Sequence, residues 1–165
     1  MKKSVVLAVL LSAVSYAAEV TVKWSGQADK VSAPKVEKLT DEDWVSYRCT
    51  PTAQAPWQSM TGTFDAPADL SKYRGVSFDF KQKAYPGDAT CVFRINTGGG
   101  ALYVNFPGGN GKNWKHVEIP FEAEKWKGKI DFTGKAASIT IYPYQFLDKP
   151  EKYIEIANFE FMEKK

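Results

Sequence analysis

The stretch CVFRINTGGGALYVNFPGGNGKNW, residues 91–114, carries two glycine clusters with Lys112 after the second, the residue types that cradle a phosphate. A phosphate loop needs G-x-x-x-x-G-K-[ST], so that backbone amides meet the phosphates and a hydroxyl meets magnesium. Gly111 and Lys112 supply the G-K, but the earlier glycine position is Phe106 and the hydroxyl position is Asn113. The dinucleotide pattern G-x-G-x-x-G fails too, because Gly98 and Gly100 are followed by Tyr103. Neither cluster opens a helical pattern, so no helix dipole awaits an anion. The glycines read as turns: Gly98 to Gly100 as the positive-φ corner of a tight hairpin, Pro107 to Asn113 as a longer loop.

Hydrolytic chemistry is equally short of parts. G-x-S-x-G is absent and His116 is the sole histidine that could act as a base. A glycosidase needs two converging carboxylates, whereas the Asp and Glu here fall at loops and polar strand positions, as on a solvated face. A polysaccharide lyase or hydrolase drawing on His116, Arg94 and a tyrosine is the catalytic alternative. One histidine cannot assemble a zinc ligand set. Only three arginines occur, Arg48, Arg74 and Arg94, and the lysines are scattered, which is not the profile of a nucleic-acid binder. Cys49 and Cys91 sit at inward positions of VSYRC and CVFRI. A disulfide between them would stabilise by about 4 kcal/mol in the chain-entropy model, and two reduced, buried thiols are the alternative.

These residues must be positioned by strands, because the dominant period along the chain is two. The first residues, MKKSVVLAVLLSAVSYA, have the layout of a secretory signal peptide at 1–17: a basic start, an apolar run and a small-x-small site. The expected product is a secreted or periplasmic single domain, 18–165, with a net charge near +1 once Lys2 and Lys3 are removed from the +3 of the whole chain. No later run is long and apolar enough for membrane insertion. Alternation marks strands near 19–24, 44–50, 59–64, 75–82, 91–96, 101–106, 114–121, 137–144 and 153–161, about nine in all. Residues 25–41 read as an irregular loop, and Asp69 as the start of one short helical turn. The fold class is all-β, an antiparallel sandwich.

Alternation also sorts the side chains. Cys91, Phe93 and Ile95 point inward, so Arg94 and Asn96 point out, and the same logic puts Tyr103, Asn105, Thr140, Tyr142 and Tyr144 outward. From 75–82 the outward set includes Asp79. Aromatic rings that stack on sugar CH faces, beside planar amide, guanidinium and carboxylate groups, form a coherent glycan platform. The expected ligand-binding residues are Tyr103, Tyr142, Tyr144, Arg94, Asn96, Asn105 and Asp79. A solvated sheet face is the bland alternative.

FDAPADLSKYRGVSFDFK, CVFRINTGGGALYVNF, NWKHVEIPF and KYIEIANFEF together resemble carbohydrate-binding modules with a galactose-binding-like jelly roll, and are similar to the complex-I-intermediate-associated family. The resemblance covers roughly residues 57 to 162 and implies a non-catalytic protein whose partner is a polysaccharide or oligosaccharide. It adds Tyr47 and Trp57 as rim candidates. Many such modules hold a structural calcium through an I-D-N string in the last strand. Here Ala157 takes the Asp place, leaving Glu19 and Glu160 as the acids a calcium ion could use, so no cofactor is expected. A descendant that kept the fold as an envelope protein-interaction or structural domain is the alternative from another class.

Overall fold

The computed structural model describes residues 20–28, 33–52, 58–83, 90–108, 113–128, 131–143 and 152–164. The expected signal peptide, Glu19, Trp57 and Tyr144 lie outside these residues. In chain order the strands are β1 (Val22–Gln27), β2 (Lys35–Asp41), β3 (Trp44–Thr50), β4 (Ser59–Asp69), β5 (Tyr73–Lys83) and β6 (Thr90–Thr97). They continue with β7 (Gly100–Pro107), β8 (Lys115–Pro120), β9 (Lys127–Gly128), β10 (Lys135–Pro143) and β11 (Tyr153–Glu163). They form a six-stranded sheet, β1-β4-β10-β6-β7-β9, and a five-stranded sheet, β2-β3-β11-β5-β8. Every pairing is antiparallel.

A strand sends alternate side chains to opposite faces, so each sheet offers one apolar face to the other. Met60, Phe93, Ile95, Leu102, Ile139 and Ile141 fill the core from the larger sheet, and Val76, Phe78, Phe80, Ile154 and Ile156 from the smaller. Phe78 stands at the meeting point. Its ring stacks on Phe93 at 5.5 Å and meets Phe106 and Phe80 edge-on at 5.5 Å and 6.3 Å. Such contacts add roughly 0.5–1.5 kcal/mol per pair beyond the area they bury.

All nine expected strands are present, and two more join them. β2 lies inside the stretch expected to be an irregular loop. It is an edge strand paired only with β3, and most of its KVEKLTD side chains are exposed or half-buried, which erases the apolar alternation. β9 is two residues long, too short to show a period. The expected helical turn is a single 3-10 turn at Leu70–Lys72, where Asp69 Oδ1 accepts from the Ser71 N–H at 3.1 Å. The β6–β7 hairpin pairs Thr97 with Gly100 across Gly98 and Gly99. Of those three glycines only Gly100 has a positive φ, 144°. The expected positive-φ position is therefore the first residue of β7 alone, where the Thr97 hydroxyl donates to the Gly100 carbonyl at 3.1 Å.

No disulfide joins Cys49 and Cys91; both are buried thiols. Cys91 Sγ donates to Gln82 Oε1 at 3.3 Å. Cys49, Ile154 and Gln82 stand in one row across β3, β11 and β5. Two strand spacings, roughly 10 Å, separate Cys49 from Gln82, the residue whose side chain Cys91 meets. Burial pushes the Cys49 thiol up to about 12, so it stays protonated. Alkylation should therefore leave the native protein untouched and label two thiols per chain in denaturant, with the same unfolding midpoint with and without reductant. Truncating Phe78 to Ala should cost about 3–5 kcal/mol, read from urea unfolding.

Candidate functional site

Register converts the outward positions of the six-stranded sheet into rows. The central row crosses all six strands: Ser25, Thr61, Thr140, Arg94, Tyr103 and Lys127. Five strand spacings make it roughly 24 Å long. Beside it run Lys23, Thr63, Ser138, Asn96 and Ala101. On the other side stand Tyr142, Val92 and Asn105, with Gln27 and Ser59 at the β1–β4 end.

The rows are cross-linked by hydrogen bonds. Thr61 Oγ1 donates to Gln27 Oε1 at 3.1 Å and lies 3.2 Å from Thr140 Oγ1. Asn96 Nδ2 donates to Ser138 Oγ at 3.0 Å and to Thr140 Oγ1 at 3.2 Å. Thr140 is only 2% exposed and Ser59 only 1%, so this is no simple solvated surface. Tyr103, by contrast, is 40% exposed. Next to it the buried Nε of Arg94 has no hydrogen-bond partner. Buried polar atoms are nearly always paired, so the orphan Nε leaves the half-buried Arg94 guanidinium short of acceptors. An open cleft of about 270 Å³ continues the surface past Tyr103 and Asn105 to Lys125 and Lys127.

The structure thus brings together Arg94, Asn96, Tyr103, Asn105 and Tyr142 from the expected set. Asp79 is placed elsewhere: it lies on β5 in the five-stranded sheet, on the opposite outer surface. Alternation gives the side of a strand, but not the sheet to which the strand belongs, and that is why Asp79 was grouped with the tyrosines. Tyr47 is no rim residue of this face either; its ring packs on Trp24 at 6.1 Å, against the core. Thr61, Gln27, Ser59, Ser138 and Lys127 were missed. The polar alternation of SMTGTF carried a signal for Ser59 and Thr61, but strand order is needed to bring them to Thr140.

On the other surface, Asp79 Oδ1 lies 2.9 Å from His116 Nδ1 and Oδ2 accepts from Asn158 Nδ2 at 2.8 Å. These residues adjoin an open cleft of about 480 Å³ lined by Asp41, Trp44, Asp79, Trp114 and His116, the two indoles meeting at 5.4 Å and 66°. Charges here largely satisfy one another. Glu155 pairs with Arg48 and, at 3.6 Å, with Lys81, whose ammonium sits 5.5 Å from the Trp114 ring. Among the described residues no three His, Cys, Asp or Glu side chains gather as cation ligands, and no helix is long and apolar enough to cross a membrane.

No protein-family model and no curated protein matches the sequence. Solved structures match in shape. CtCBM11, studied in solution, aligns with a TM-score of 0.62 at 12% identity, over 88% of this chain and 94% of that one. A family 11 carbohydrate-binding module from Clostridium thermocellum, in complex with a β-1,3-1,4-mixed-linked tetrasaccharide, gives 0.53 at 14% identity over 90% and 98%. A family 30 carbohydrate-binding module gives 0.50 at 14% identity over 87% and 91%. The fold is the β-sandwich of carbohydrate-binding modules. The expected jelly-roll sandwich is therefore present, while the chemistry of the face rests on this chain's own residues.

Because the protein has one histidine, its titration is readable without assignment. The hydrogen bond to Asp79, assisted by the charges of Asp79 and Glu118, holds the His116 imidazolium above its ordinary pKa of about 6.5. A raised folded-state pKa gives stability that is complete below the unfolded value and lost as pH rises through the folded one. The His116 ring protons should titrate above pH 6.5 by NMR, and Asp79→Asn should bring the midpoint back down.

Proposed function

We propose that the protein is an exported, non-catalytic carbohydrate-binding protein that holds a glycan across the outer face of its six-stranded sheet. The observation that carries this reading is the juxtaposition of exposed Tyr103 with Arg94, whose buried Nε has no partner, inside a row of ordered hydroxyls and amides. A sugar ring stacked on Tyr103 places its hydroxyls against Arg94, Asn96 and Asn105, and Tyr142 widens the apolar platform. Preset hydrogen bonds among Thr61, Thr140, Asn96 and Ser138 keep these groups in place before the ligand arrives, which lowers the entropy cost of binding. The ligated module from Clostridium thermocellum supports the reading through its fold. Export is supported by the leader-like residues 1–17, and Tyr144 keeps its place as a proposed member of the platform.

A glycan array and affinity electrophoresis with the purified protein test this. Hydrogen bonds to charged groups are worth roughly 1.5–3 kcal/mol, so Arg94→Ala should weaken retention by about ten- to a hundredfold. Tyr103→Ala should also release the glycan, while Trp44→Ala on the opposite surface leaves retention unchanged. Retention by a folded double variant lacking Arg94 and Tyr103 would remove the site from this face.

A further inference from the structure

With Asp79 assigned to the other sheet, the three rows of the six-stranded sheet's outer face hold no aspartate or glutamate among the described residues. They do hold cations. Arg94 and Lys127 flank Tyr103 in the central row, one on each side, with roughly 10 Å between their strands. None of the ion pairs among the described residues includes either of them. Two carboxylates beside the face already have partners: Asp65 holds Lys23 at 2.8 Å and Glu122 holds Lys125 at 2.5 Å. A face selecting neutral sugars gains from carboxylates, which accept from ring hydroxyls. This one offers charged donors instead, and a half-buried guanidinium with an unpaired Nε is the group that a carboxylate or sulfate satisfies most strongly.

We propose that the glycan is anionic, a chain of uronic acids or sulfated sugars, with Tyr103 stacking one ring while Arg94 and Lys127 take acidic groups on either side of it. This rests on the glycan-binding reading of the face and names its substrate class. Arg94, held by the strands around it, sets orientation as a fork of fixed donors. Lys127, exposed at the sheet edge, supplies a point charge that tolerates carboxylate or sulfate alike.

Isothermal titration of the full chain with oligogalacturonate, its fully methyl-esterified form, a sulfated galactan oligosaccharide and the mixed-linked β-glucan tetrasaccharide separates the cases. The expected result is at least tenfold tighter binding of an anionic chain than of the esterified or the neutral one, with affinity falling as salt rises. The better anionic probe identifies carboxylate or sulfate as the source. Arg94→Gln and Lys127→Gln should each erase most of that preference, with thermal unfolding confirming that the variants fold. Lys38→Gln, exposed on β2 of the other sheet, should not. Equal loss from Lys38→Gln means diffuse charge attraction and overturns the proposal. Tyr103-dependent binding of the neutral tetrasaccharide, as tight as that of either anionic chain, overturns it while leaving the glycan face intact. Binding of neither anionic chain overturns the proposal, while the glycan array with the Arg94 and Tyr103 variants decides the glycan face separately.

Discussion

Everything outside the core depends on the register that the aromatic interior imposes. Phe78 has Phe93, Phe106, Phe80 and Phe159 around it, drawn from both sheets, and each of those rings fixes the facing of its strand. A slip of one residue in any of these strands would carry a phenylalanine to water and a polar or charged side chain to the interior. The outer faces are consequently by-products of a packing problem solved inside. Arg94 is held beside Tyr103 because Phe93 and Val104 are held behind them.

Fold and site were legible in the sequence to different depths for one reason: period-two alternation reports on a single strand. It placed Phe93 in and Arg94 out, Val104 in and Tyr103 out, and the structure agrees at each. It could not report β2, whose side chains are mostly solvated, or β9, which is too short to alternate. Nor could it report which strands share a sheet. Asp79 points outward as expected, but from the wrong side of the molecule, and Thr61 reaches Thr140 only because β4 lies between β1 and β10. The cysteines show the same limit. Their inward facing was readable, while the two strand spacings between Cys49 and the partner of Cys91 were not.

The sorting of charge follows the same division. The five-stranded sheet neutralises its outer surface internally, through Glu155 with Arg48 and Lys81 and through Asp79 with His116 and Asn158. The six-stranded sheet leaves two cations uncompensated around an exposed ring. About 10 Å of packed hydrocarbon separates the backbones of the two sheets, so each surface presents its own electrostatic character. The low net charge of the chain conceals this asymmetry, since it averages over both.

β9 consists of Lys127 and Gly128 alone, hung on β7 at the sheet margin. Gly128, with φ 98°, allows the close approach, since a Cβ there would meet the Ala101 carbonyl oxygen at 2.3 Å. The backbone requirement of this edge thus falls on the glycine, and the lysine beside it bears almost none. A lineage could exchange residue 127 for a neutral or acidic one at little cost to folding and so redirect what the face attracts. The surface is divided into a rigid centre that must be inherited and a margin on which selection is free to experiment.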